Sequence, residues 1–141
     1  MARDKKLDRL GKVRLFSSCT SKELAQIGKA SDEITVPAGK DIVTEGTGGH
    51  EFFLILDGEA AVTRAGKQVA TLHDGDYFGE LALLDRAPRN ATVTASRPTN
   101  LLVIGQREFS GVLDEVAGLA HKLLIQMAAR LREADAQSVS H

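Results

Sequence analysis

Apolar and polar positions change their period twice along the chain. In the opening segment "DKKLDRLGKVRLF", Leu7, Leu10, Val13 and Phe16 recur at near-helical intervals and predict one short amphipathic helix, interrupted in propensity by Gly11. "TSKELAQIGKA" predicts a second helix. Thr20 stands as its N-cap with Glu23 three residues on, the spacing of a capping box, and Leu24 and Ile27 supply its buried face. After Ser31 the period shortens. "EITV", "DIVTEG", "EFFLILDGEAAVTRAGKQVATLHDGDYFG", "ATVTA" and "NLLVIG" are short runs rich in β-branched or aromatic residues. Pro37-Ala38-Gly39, Gly46 with Gly48-Gly49, Asp57-Gly58, Ala65-Gly66 and Asp74-Gly75 punctuate them. Strands and turns at this spacing predict an antiparallel sandwich or barrel, and the long crossover helices of a parallel sheet are missing.

From Gln106 the helical period returns. "REFSGVL" predicts a short helix and "EVAGLAHKLLIQMAARLREAD" a longer one. In the longer one Leu119, Leu123, Met127 and Leu131 fall every four residues as one stripe, widened by Leu124, Ala128 and Ala134, to pack on the barrel or on a twin helix. The charges of "RLREAD" read as a solvated face, and the tail "AQSVSH" is expected to fray. The layout is mainly β with flanking α in one domain, 1–141: helices over about 3–30, a barrel over about 33–105 and a C-terminal helix pair over about 106–135.

Composition narrows the function classes. A chain of 141 residues, 43% hydrophobic and 26% charged, is long enough for one real core. A net charge of -1 argues against a broad electrostatic footprint for nucleic acid or acidic membranes. No apolar run approaches the roughly eighteen residues of a membrane span, and "MARDKKLDRLGK" lacks the apolar core of a secretory signal. The single cysteine, Cys19, excludes an internal disulfide framework and reads as a small buried hydrophobe. The cytoplasm is the expected compartment. His73 and His121 have no second ligand at useful spacing, so no metal site is expected. No nucleophile with a paired base is apparent, so the chain is not expected to be an enzyme.

The distinctive chemistry lies in "FGELALLDRAPRNATV", Phe78 to Val93. Gly79 lets the backbone turn sharply or approach a ligand closely. Glu80 to Leu84 can form one helical turn whose first N–H groups point at open space and attract an anion. Arg89, held by the fixed φ of Pro88, offers two donors in a fork that suits phosphate oxygens. Glu80 would repel a phosphate, so it must face a donor on the same ligand, such as a sugar hydroxyl. A phosphate joined to a ribose with a free 2′-OH meets both demands.

"FGELALLDRAPRNA" resembles the phosphate-binding cassette of the cyclic nucleotide-binding domain family: F-G-E, apolar or small residues, a spacer, P-R, one variable residue, then Ala. "EGTGGHEFFLILDGEAAV" and "LHDGDYFGE" are similar to the hairpins that precede it, so the likeness covers nearly the whole chain. The resemblance implies an antiparallel jelly-roll β-barrel (a double-stranded β-helix). It implies that Glu80 accepts from the ribose 2′-OH, and that Arg89 pairs with the cyclic phosphate beside backbone amides near Ala82, Asn90 and Ala91. Gly79 and Leu81 belong to the same cassette, and Val62, Leu72 and Val93 would wall the ligand. It further implies a moving C-terminal helix that caps the base or carries the signal. What receives that signal stays open among a protein partner met through the last helix, a homodimer and simple buffering of the nucleotide. No cofactor is implied; the ligand is cAMP, with cGMP as the alternative.

Three positions depart from the family pattern. Asn90 stands where a small apolar residue goes with cAMP and a hydroxyl residue with cGMP. Thr47 and His50 replace two aspartates of the commoner G-D-x-G-D run, and an imidazole brings no negative charge to orient Arg89. Arg89 is therefore expected to be held less firmly. DNA binding is not expected of this chain, since no recognition helix follows the long helix before His141.

Overall fold

The computed structural model describes residues 2–85 and 87–139, with the side chains of residues 2–5, 81 and 136–139 outside that description. The order is α1 (Ala2–Lys12), a single helical turn (Arg14–Phe16), α2 (Ser21–Lys29), β1 (Asp32–Val36), β2 (Asp41–Val43), β3 (Glu51–Asp57), β4 (Ala60–Arg64), β5 (Lys67–Leu72), β6 (Tyr77–Phe78), a second turn (Glu80–Leu83), β7 (Thr92–Ala95), β8 (Thr99–Gly105), α3 (Gln106–Glu115) and α4 (Leu119–Val139). All strand pairs are antiparallel, in two four-stranded sheets of order β1-β8-β3-β6 and β2-β7-β4-β5. The mainly β class with flanking helices is thus the one observed.

The runs "FFLIL" and "LLVI" carry no polar alternation because β3 and β8 are buried on both faces. Phe52, Leu54, Leu102 and Ile104 point outward into a core shared with Leu10, Leu15, Phe16, Ile27, Phe109 and Leu119 of the helical segments. Phe53, Ile55, Leu101 and Val103 point inward and meet Ala60, Val93 and Ala95 of the other sheet. The period-two rule therefore holds, with two apolar layers in place of one.

The helices differ from the sequence reading at four points. The first segment divides: α1 ends at Lys12, Val13 is extended (φ -67, ψ 124) and the turn Arg14–Phe16 follows. Val13, Leu15 and Phe16 are all fully buried, and one straight helix cannot turn residues two apart to the same side. The C-terminal pair breaks later than expected. Glu115 ends α3, and Gly118, at φ 83, stands in the break before α4. The stripe of leucines also fails as a single face. Each four-residue step overshoots a turn by about 40°, so Leu119 and Leu123 are buried at 0% and 2% exposure while Leu131 has rotated out to 65%. Leu124, expected to widen that face, is 62% exposed. Helix α4 runs on to Val139, so residues 136–139 are helical where fraying was expected; the rest of "AQSVSH" lies outside the described residues.

The capping box of α2 forms as read: the Glu23 N–H donates to Thr20 Oγ1 at 3.1 Å and the Thr20 N–H donates to Glu23 Oε1 at 2.8 Å.

Candidate functional site

Strand β6 ends at Phe78, and Gly79 reverses the chain at φ 78. A Cβ on Gly79 would stand 2.8 Å from the Glu51 carbonyl oxygen and against Arg89, so only glycine fits both the conformation and the space. The turn Glu80–Leu83 follows and is anchored by Leu83, which is 3% exposed in the helix-side core. Its Ala82 N–H already donates to the Gly79 carbonyl at 3.0 Å, so this amide, expected to face the ligand, is engaged within the turn. The Leu81 side chain lies outside the described residues.

Arg89 is held first by its backbone. Its N–H donates to the Thr47 carbonyl and its carbonyl accepts from the Gly46 N–H, each at 2.8 Å. Its side chain is then packed from three sides. Nη2 donates to the Glu51 carbonyl at 2.8 Å. The guanidinium lies over the Phe53 ring at 5.8 Å, and Phe53 stacks on Phe78 at 5.0 Å. A Cβ on Gly49 would overlap its Nε. Arg89 thus has a backbone carbonyl as its hydrogen-bond partner. The His50 side chain is exposed, and its own carbonyl accepts from Gln106 N–H at 2.7 Å. Partial burial pushes the Arg89 guanidinium below the ordinary arginine value, and the Glu51 charge pulls it part of the way back. Among the described residues no carboxylate forms an ion pair with Arg89.

Glu80 is built differently. Oε1 accepts from Arg130 Nη1 of α4 at 2.6 Å, with the side chains only 13% and 34% exposed. Oε2 is buried and has no hydrogen-bond partner. A buried carboxylate oxygen without a donor is costly.

Gly79, Glu80, Ala82, Arg89, Asn90 and Arg130 surround one open cavity of about 460 Å³. A narrower one of about 170 Å³ enters the barrel between Val62, Leu72, Ala91 and Val93 and shares Gly79, Arg89 and Asn90 with the first. The structure therefore brings the expected polar pair and the expected apolar walls together. Two arginines escaped the sequence reading. Arg64 lines the inner cavity and Arg130 the outer. Arg130 sits in "RLREAD", read as a solvated run, yet it turns in to Glu80, while Glu133 stays exposed and pairs with Arg14. Their spacing from Lys122 and Gln126 on the side of Leu119 and Leu123 was the available signal.

The model of the cyclic nucleotide-binding domain matches residues 33–116. The chain is 38% identical over 113 residues to a cAMP-dependent protein kinase regulatory subunit from Hypocrea atroviridis, covering 80% of this chain and 24% of that protein. It is 40% identical over 109 residues to the one from Yarrowia lipolytica, covering 76% and 29%. It thus spans less than a third of these curated relatives. Among solved structures, the N-terminal domain of a transcriptional regulator from Streptomyces coelicolor A3(2) superposes with a TM-score of 0.86 at 26% identity, covering 93% of this chain and 95% of that one. The regulatory domain of Toxoplasma gondii PKA, crystallised with cAMP, gives 0.72 at 31% identity, covering 78% and 44%.

Proposed function

The chain belongs to the cyclic nucleotide-binding domain family, and from that premise we propose that it is a cAMP sensor whose bound state is read out by α4. The observation that carries this reading is the buried, unpartnered Glu80 Oε2 on the same cavity as the half-buried Arg89. Arg89 takes the cyclic phosphate, with the N–H groups of Asn90 and Ala91 as further donors. Glu80 Oε2 takes the ribose 2′-OH while Oε1 stays on Arg130, so one carboxylate joins the ligand to α4. The base lies against Val62, Leu72 and Val93. Ligand stabilises the docked position of α4 only to the extent that it binds that arrangement better.

A binding module, not an enzyme, is the reading that agrees with relatives named as regulatory subunits. Incubation with cAMP should leave it intact, and AMP formation would refute that. We take the outward side of α4 as the contact for a second copy of this chain. Leu124, Ile125 and Leu131 are 62%, 54% and 65% exposed there, and small Ala128 between the leucines lets a twin helix come close. No helix among the described residues is long and apolar enough to cross a membrane.

Calorimetric titration of the purified chain with cAMP and cGMP, after removal of co-purified nucleotide, tests the site. Saturable binding is expected, tighter for cAMP. Arg89→Ala should weaken both by about 100-fold or more, since the phosphate loses its charged partner. Absence of binding to either nucleotide would remove the proposal.

A further inference from the structure

A second guanidinium reaches the Arg89 end of this site from the neighbouring strand, since β4 pairs with β7 just after the cassette. Arg64 is the last residue of β4, paired in register with Lys67 across the turn Ala65–Gly66. Its side chain crosses towards the cassette, and Nε donates to the Asn90 carbonyl at 3.1 Å. Arg64 thereby lines the inner cavity together with Arg89 and Asn90. Among the described residues it enters no ion pair. The Nε bond sets the plane of the fork and leaves both Nη groups to other acceptors.

We propose that Arg64 is a second cationic contact for the ligand's phosphate, an inference that rests on reading the cassette as a cyclic nucleotide site. Arg89 commits Nη2 to Glu51, so its fork faces the ligand with fewer donors than a free guanidinium. The phosphodiester has two exocyclic oxygens to satisfy. Arg64, tied to the carbonyl of the residue that follows Arg89, approaches the same corner and supplies donors to the second oxygen. Phosphate is common to cAMP and cGMP, so this contact adds affinity for both and selects neither base.

Arg64→Ala and Arg64→Lys, titrated with cAMP and with cGMP at low and moderate salt, test this. Arg64 is exposed, so both variants should fold, which circular dichroism checks. Arg64→Ala should weaken both nucleotides by a similar factor, about tenfold, with a shallower salt dependence; Arg64→Lys should fall between, keeping charge without the fork. A loss confined to one nucleotide would overturn the proposal in favour of a base contact, and unchanged affinity for both would overturn it outright. In either case Arg89→Ala still weakens binding, whereas a wild-type chain that binds neither nucleotide brings down the site and this contact together.

Discussion

The two ends of the cassette are held by different parts of the molecule. Arg89 is fastened entirely from the barrel: the Glu51 carbonyl of β3, the Phe53 ring, and the space left by Gly49 and Gly79. Glu80 sits on a single helical turn and is fastened from α4 by Arg130. Helix α4 is in turn fastened by a polar row: Lys122 to Glu23 at 2.7 Å, Gln126 to Ser18 at 3.3 Å, Arg130 to Glu80 at 2.6 Å, and Glu133 to Arg14. On the proposed reading, the phosphate end supplies affinity from a rigid wall. The sugar end converts occupancy into the position of a helix whose first turns are anchored in the core by Leu119 and Leu123, and whose later turns are held by polar, partly exposed pairs. A helix held by such pairs is released more readily than a buried strand.

The sharpest break of this contrast is Gly49→Ala. The new methyl overlaps Arg89 Nε, so the guanidinium must leave its seat while every ligand-facing residue remains. Affinity should fall by about 100-fold, near that of Arg89→Ala, with the fold retained by circular dichroism. If calorimetry shows affinity unchanged, the wall does not seat Arg89 as described. Arg130→Ala should act at the other end and cost less. Affinity should fall by about three- to tenfold, since Glu80 keeps its place on the turn but loses an orienting partner. The more telling readout is amide hydrogen exchange along α4. Nucleotide should protect α4 in the wild type and cease to do so in Arg130→Ala. Undiminished protection would mean that the signal does not pass through Glu80.

Which of these features the sequence disclosed follows from how local their causes are. The capping box, the turns and the strand runs depend on neighbours a few residues away, and they were legible. Gly79, Glu80 and Arg89 were singled out by their spacing, and the structure gathers them around one cavity; that they hold a ligand is the proposal. What escaped depends on distant partners. The partner of Arg89 is a backbone carbonyl, which no side-chain pattern reveals and which the reading of Thr47 and His50 did not take into account. Arg130 looked like solvent-facing charge because its partner lies fifty residues earlier, on the cassette. The leucines of α4 misled for a geometric reason: a period of four is not a period of 3.6, and by Leu131 the row has left the buried face.

The smallest expected effect separates the attachments of α4 from those of Arg89 by pH. Glu23 holds Lys122 and also closes the capping box of α2. The Lys122 ammonium first, and the Thr20 backbone N–H second, hold the Glu23 carboxyl below the usual glutamate range. A folded value that is lowered stabilises the fold above the unfolded carboxylate value, about 4.3, and is lost as pH falls below it towards the folded value. Glu23→Gln removes the charge while an amide can still accept from the Thr20 N–H, so the cap survives and the ion pair does not. At pH 7 the variant should melt lower by about 2–4 °C, the effect of roughly 1 kcal/mol in a chain of this size. On acidification below about pH 4.3 the two melting curves should converge, because the wild type loses the same interaction by protonation. Ligand affinity at neutral pH should hardly change, since the Arg89 seat is untouched. Curves that stay parallel into acid would show that Lys122 does not fasten α4 through Glu23. An affinity loss as large as that of Gly49→Ala would show that the two ends of the cassette are not held separately.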